Sequence, residues 1–184
     1  MLPRVMRSRP VAIAALAALA ALAVTLSACG SEETTDVVEG EPADLGELEY
    51  NVQITRFLNP NDVEDAEYLV GQPEPESGRS YLGIFMTVIN KNKDEAFQSA
   101  HGYTIVDTLG NEFEPTDSES PYALDIGAEV PQESQLPIPD STAATGPNQG
   151  ALLLFLVDDA VSENRPLELE IDSPDGSGVV ELDI

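Results

Sequence analysis

The chain contains no tryptophan, one cysteine, one histidine and only eight basic residues. Each shortage excludes something. A lone cysteine, Cys29, cannot close a disulfide within the chain. With one histidine (His101), and Met86 the one methionine beyond residue 28, no soft-metal ligand set for copper or zinc can be assembled. The absence of tryptophan and an aromatic content of 5% argue against a carbohydrate-stacking platform. Three of the basic residues, Arg4, Arg7 and Arg9, precede every acidic residue. The other five (Arg56, Arg79, Lys91, Lys93, Arg165) face all 34 acids, a net charge of −29 beyond residue 28. A surface so negative excludes nonspecific nucleic-acid binding and is repelled by anionic lipid head groups.

What is present begins with a leader. Residues 1–28 carry the three arginines, then an apolar run from Val11 to Leu26 broken only by Thr25, then small residues. That order reads as a secretory signal rather than as fold. The run approaches the length of a spanning helix, so an uncleaved anchor and an ordinary signal peptide compete with a third reading. Leu26-Ser27-Ala28-Cys29 resembles a bacterial lipobox at all four positions. The resemblance implies that the Cys29 thiol takes a diacylglyceryl group and that cleavage between Ala28 and Cys29 makes Cys29 the mature N-terminus. All three readings export the remainder, because the arginines hold the start inside. The expected place is the extracytoplasmic face of the cell membrane, reached through the lipid at Cys29.

Residues 29–46 are expected to form an acidic flexible tether. Gly30–Gly46 reads GSEETTDVVEGEPADLG, acidic and without a sustained apolar period. A coil of this length reaches about 20–25 Å, and its removal is expected to leave stability unchanged. Residues 47–184 hold enough chain for one sizeable core. Leu48-Glu-Tyr50-Asn-Val52-Gln-Ile54 alternates as a half-buried strand. Asn59–Gly78 is an acidic, proline-containing insertion in which Tyr68-Leu69-Val70 can pair. Tyr81–Asn90 is apolar on both faces, as a central sandwich strand is, and Gly83 within it marks a bulge or a close approach. A weak strand, Ala96–Ala100, follows. Tyr103–Thr108 and Phe113–Pro115 form a hairpin around Gly110-Asn111. A two-residue loop would oppose Asp107 to Glu114, so a three-residue loop, Leu109–Asn111, with Asp107 opposite Phe113 is expected. Thr116–Gly150 contains five prolines and two short apolar patches, Tyr122–Ile126 and Leu136–Ile138. Ala151–Val157 is a second fully apolar strand. Leu167–Ile171 and Val180–Ile184 alternate on either side of a Ser173–Gly176 turn.

Seven or eight short strands without a convincing helix indicate an all-β antiparallel sandwich, with the two apolar strands back to back across a core. The stretches YLGIFMTVINKNKDEAFQS (from Tyr81), TIVDTLGNEFEP (from Thr104), GALLLFLV (from Gly150) and RPLELEI (from Arg165) resemble the telokin-like family of exported bacterial domains of unknown function. The resemblance covers most of 48–184 and implies an immunoglobulin-like sandwich; its motifs are structural and bring no catalytic residues.

Two constellations could carry chemistry. Ser99, His101 and Asp107 supply the residue types of a hydrolytic triad, but no nucleophile-elbow motif accompanies them. An exposed loop histidine is the plainer reading, and the chain is expected not to be an enzyme. Asp62, Glu64, Asp65 and Glu67 are a carboxylate cluster of the kind that suits Ca²⁺, without the glycine and spacing of an EF-hand loop. The expected role is a non-catalytic module that binds another envelope component through loops or an edge strand. The alternative is a small-ligand or Ca²⁺-binding lipoprotein serving a transporter or sensor.

The charge carries a prediction of its own. Mutual repulsion among the carboxylates is longest-ranged at low ionic strength. Melting temperature is expected to rise from about 10 mM to several hundred millimolar NaCl, as the screening length falls from about 30 Å to a few ångströms. Scanning calorimetry across that series checks it, and a midpoint indifferent to salt refutes it.

Overall fold

The computed structural model describes residues 34–184. They form an all-β sandwich. In chain order the strands are β1 (Thr34–Val38), β2 (Pro42–Leu45), β3 (Leu48–Leu58), β4 (Arg79–Asn90), β5 (Phe97–Gln98), β6 (Gly102–Val106), β7 (Glu112–Phe113), β8 (Glu129–Val130), β9 (Ser134–Leu136), β10 (Ala151–Asp158), β11 (Leu167–Ser173) and β12 (Gly176–Leu182). One sheet has the order β1-β12-β11-β6-β7, the other β10-β4-β3-β2, with β9 on the far end of β4 and a small β5–β8 ladder beside them. The strands outnumber the seven or eight expected because several are only two or three residues long. The β1–β12 pair is parallel, whereas the other ladders are antiparallel.

The two sheets differ in how they meet water. In β11, Leu167, Leu169, Ile171 and Ser173 are buried while Glu168, Glu170 and Asp172 point outward. That period-two alternation is what a sheet with one wet face requires. In the other sheet Tyr81–Met86 of β4 and Ala151–Phe155 of β10 are buried on both faces. These two strands are antiparallel neighbours, Phe155 opposite Leu82 and Ala151 opposite Met86, rather than facing each other across the core. The double-sided burial has another source. Residues 59–78 and 120–122 fold over the outer face of their sheet. Tyr68, in a turn and not in a strand, packs edge-on against Phe85 at 5.0 Å and against Tyr122 at 4.8 Å. Gly83 is the expected close approach: a Cβ there would stand 3.0 Å from both Leu152 and Leu58. The bulge itself lies on the partner strand, between Val52 and Ile54.

Both open sides of the sandwich are crossed by chain. On one side β1 belongs to the first sheet and β2 to the second. The Gly40 N–H donates to the Val52 carbonyl at 2.8 Å. Glu39 accepts from Thr55 N–H at 3.0 Å and from Asp183 N–H at 3.2 Å, touching both sheets. On the other side β7 leads into Pro115, which bridges to Phe155, and the Thr116 N–H donates to the Leu154 carbonyl at 2.6 Å. Across the core, the Tyr50 hydroxyl of β3 accepts from Ala100 N–H at 2.8 Å and donates to Ser173 Oγ of β11 at 3.4 Å.

Over residues 34–46 the tether reading of 29–46 is corrected by the same strands, while residues 29–33 lie outside the described residues. Thr34–Val38 and Pro42–Leu45 are paired, and Ala43 and Leu45 are fully buried. Two apolar residues in four make too weak a period to read alone; the ladder of β3 and the core beneath it supply the order. The hairpin is corrected too. Ile105 opposes Phe113 and Val106 opposes Glu112, which puts Asp107 opposite Asn111 around the three-residue loop Thr108–Gly110. Loop length agrees with expectation and register differs by two. A slip of two keeps every side chain on its face, so the burial pattern could not distinguish the registers.

Because Leu45 fills core rather than tether, Leu45→Ala is expected to destabilise the fold by about 2–4 kcal/mol. Urea unfolding checks this; a cost near zero would restore the tether reading.

Candidate functional site

The apolar patches of the proline-rich stretch come together along the β9–β10 edge of the second sheet. The Leu124 N–H donates to the Leu152 carbonyl, and the Leu152 N–H to the Tyr122 carbonyl, each at 2.8 Å. This lays residues 122–124 along the free edge of β10. Leu136 of β9 sits opposite Val88 of β4. Between these walls, one helical turn, Thr142–Thr145, is capped by Ser141, whose Oγ accepts from Ala144 N–H at 3.2 Å. The result is a groove of about 390 Å³ at the start of β10, with Leu124, Leu136, Ile138, Ala143 and Ala151 among its lining together with the acidic residues Asp125 and Glu129. Ile138 keeps 61% of its surface exposed there. A larger, polar trough of about 500 Å³ lies on the outer face of the first sheet, with Thr104, Glu114, Glu170 and Asp172 in its walls. The groove offers an apolar bed with two anionic groups, a constellation for holding a ligand. Its one hydroxyl named above, Ser141, is occupied in capping.

The carboxylate cluster is not gathered as a cation site. Asp65 is 4% exposed and turned inward, accepting from Arg56 and, at 2.8 Å, from the Asn59 N–H. Glu67 accepts from the Tyr122 hydroxyl at 2.8 Å, and Asp62 caps the Glu64 N–H at 2.9 Å. These acids fasten residues 59–70 onto the sheet, and the Arg56 guanidinium lies 5.7 Å from the Tyr68 ring centre. Among the described residues no three His, Cys, Asp or Glu side chains converge as a metal site. Glu64 remains at the exposed surface.

The triad types are not brought together either. His101 is exposed just before β6 and Asp107 follows its other end. Six residues of extended chain separate them by about 20 Å. Asp107 is committed to its turn: Oδ1 accepts from the Leu109 and Asn111 N–H groups at 2.9 Å, Oδ2 from Asn111 Nδ2 at 2.8 Å and Asn164 Nδ2 at 2.9 Å. Ser99 is buried. Ala28 and Cys29 lie outside the described residues. The groove was not legible as a site, although both apolar patches that wall it were. The missing signal was the run of small residues, Ala123, Ala128, Ala143 and Ala151, that leaves room between them.

No family model matches the chain, and no curated protein does. Among solved structures it is similar to the yjhA protein from Bacillus subtilis, with a TM-score of 0.52 and 13% identity over 80% of this chain and 100% of that one. It is also similar to an uncharacterized β-sandwich protein from Clostridium difficile 630, at TM-score 0.49 and 15% identity, covering 83% and 96% of the two chains. A third is ycdA, a candidate lipoprotein from Bacillus subtilis subsp. subtilis str. 168, at TM-score 0.48 and 14% identity over 79% of this chain and 38% of that one. The yjhA likeness speaks for the sandwich fold and carries no chemistry.

The fastening role of Asp107 is testable. Burial pushes its carboxyl up, and the hydrogen bonds from Asn111, Asn164 and Leu109 outweigh that, lowering it from 3.8 to about 2. A depressed carboxylate stabilises the fold above its ordinary pKa, and the contribution is lost as pH falls toward 2. Asp107→Asn is therefore expected to cost about 1–3 kcal/mol at pH 7, with the gap to wild type narrowing between pH 4 and about 2. Denaturant melts of both proteins across this range check it; a gap independent of pH would mean that charge plays no part.

Proposed function

We propose that this chain is an exported, lipid-anchored, non-catalytic binding module on the extracytoplasmic face of the cell membrane, built on a telokin-like, immunoglobulin-like sandwich. The observation that carries the reading is Leu26-Ser27-Ala28-Cys29 at the end of an arginine-led apolar run, ahead of a folded domain. Non-catalytic action is supported by Asp107 and His101 standing at opposite ends of β6 and by Asp107 holding a turn. Among the described residues no helix is long and apolar enough to cross a membrane.

The groove favours the second reading, a small-ligand-binding lipoprotein serving a transporter or sensor, over docking through an edge strand. Both sides of the sandwich are crossed by β1–β2 and by 113–116, which shortens the free edges that strand addition needs. The anchor also fixes where the domain stands. Four residues separate Cys29 from Thr34 at the start of β1, so at most about 18 Å of chain joins them. Thr34 pairs with Gly178, and the end of the sandwich that holds the Gly46 and Asp175 turns is then nearest the bilayer. Asp175 and Glu47 at that end are repelled by anionic head groups, so the lipid alone holds it there.

In a bacterial host with lipoprotein processing, the wild-type chain is expected to partition into detergent with a diacylglyceryl-modified N-terminal Cys29, and Cys29→Ser to stay in the aqueous phase. Intact-mass and N-terminal peptide mass spectrometry read the outcome. An unmodified N-terminus, or retention of residues 1–28, would sink the anchor.

A further inference from the structure

The groove at the start of β10 has a definite chemistry. It is walled by alkyl groups, and Ile138 at it stays largely in water. Its volume of about 390 Å³ falls in the range of small-molecule sites, about 300–1,000 Å³. Asp125 and Glu129 bracket the turn in which the Ala128 N–H donates to the Asp125 carbonyl at 3.2 Å. None of the five basic residues of the domain lines it. Arg56 is held by Asp65, Arg79 by Asp158 and the Leu156 carbonyl, Lys91 by Glu49, and Arg165 by the Ile184 carbonyl.

We propose that this groove binds a small amphiphilic amine, with its apolar body on Leu124, Leu136, Ile138 and Ala143 and its ammonium group at Asp125 and Glu129. Two arguments select this class over other apolar ligands. The walls bury an alkyl or ring body but bring no cation to pair with a carboxylate or phosphate, so a fatty acid or phospholipid would place its charge against Asp125 and Glu129. The field of a chain carrying 29 net negative charges beyond residue 28 acts the same way at longer range, concentrating cations and repelling anions. A neutral amphiphile would gain the apolar contacts and lose the charge-assisted ones. The inference deepens the ligand-binding reading above and does not depend on lipidation.

The test uses three probes of one chain length: decylamine, decanol and decanoate. Each is titrated calorimetrically into the full lipidated protein in zwitterionic nanodiscs, with empty discs subtracted. Should the chain prove not to be lipidated, the same titration runs in buffer, so failure of the anchor and failure of the groove are told apart. Decylamine is expected to bind at least about tenfold more tightly than decanol, and decanoate more weakly than both. Asp125→Asn with Glu129→Gln is expected to erase the preference for decylamine and leave decanol unchanged. Ala128→Leu, which narrows the groove, is expected to weaken both, with its melting temperature measured alongside. Glu114→Gln with Glu170→Gln removes the same charge from the trough on the other sheet and is the control for long-range attraction. The proposal is overturned if decanoate binds as well as decylamine, or if the trough pair lowers decylamine affinity as much as the groove pair. A folded Ala128→Leu variant with wild-type affinity also overturns it.

Discussion

A strand that is apolar on both faces must be kept dry on both faces, and β4 imposes that condition on the whole domain. Its inner face is met by the opposing sheet. Its outer face has no second sheet, and the cover is made from irregular chain instead. Tyr68 is the centre of that cover, lying between Phe85 and Tyr122. Irregular chain carries unpaired backbone groups, so it has to be fastened. The Tyr122 hydroxyl donates to Glu67, Ser120 Oγ to the Glu67 carbonyl, and Asn148 Nδ2 to the Tyr68 hydroxyl. These ties run between 59–70 and 120–148, so the two covering segments hold each other as well as the sheet. Long loops without regular structure are uncommon in compact domains unless they do such work.

The acidic residues divide by the same geometry. Those on the covering segments and turns act as acceptors for groups that would otherwise be orphaned. Asp65 does this for Arg56 and Asn59, Asp107 for its hairpin, and Glu39 for two strands of different sheets. Those on the outer face of the first sheet have no such role. Glu168 stands directly opposite Glu181 in the β11–β12 ladder, an arrangement that costs stability. A polar wet face was needed there, but carboxylates of one sign were not. The charge of that sheet is accordingly a property of the surface and its surroundings, not of the fold.

Much of the architecture was legible because it is local. The alternation of Leu167–Ile171, the two apolar strands, the close approach at Gly83 and the length of the Asp107 hairpin loop all follow from residues that are neighbours in sequence. What escaped is non-local. Ala43 and Leu45 are ordered by β3, and nothing within 42–45 announces it. The hairpin register is set by Asp107 accepting from Leu109 and Asn111, a side-chain bond that outweighs the strand-pairing argument made from like charges. The carboxylates of Asp62–Glu67 looked like a cluster only because they are adjacent in sequence; folding sends Asp65 toward Arg56 and Glu67 toward Tyr122. The double-sided burial of β4 and β10 was read correctly as burial and wrongly as placement, since a strand covered by loops and one covered by a sheet have the same hydropathy.

The groove follows from the way that cover is built. A sheet laid on a sheet interdigitates its side chains at near-crystalline density, whereas a loop cover packs closely only where large side chains meet. Over β4, Tyr68 and Tyr122 meet that need. At the edge of the sheet, toward the start of β10, the residues beside the groove are Ala123, Ala128 and Ala143, and the surface dips beside Ala151. The same segment brings Asp125 and Glu129 to the dip, because its turn is built at Asp125–Ala128. An apolar recess beside carboxylates thus arises at the place where the fold gives up close packing. Stability alone would favour filling it, as larger side chains at Ala123 or Ala143 could bury more apolar area. That it is left open, in a domain that otherwise closes both its sides and covers both faces of its central strand, is the structural ground on which the proposal of a ligand there rests.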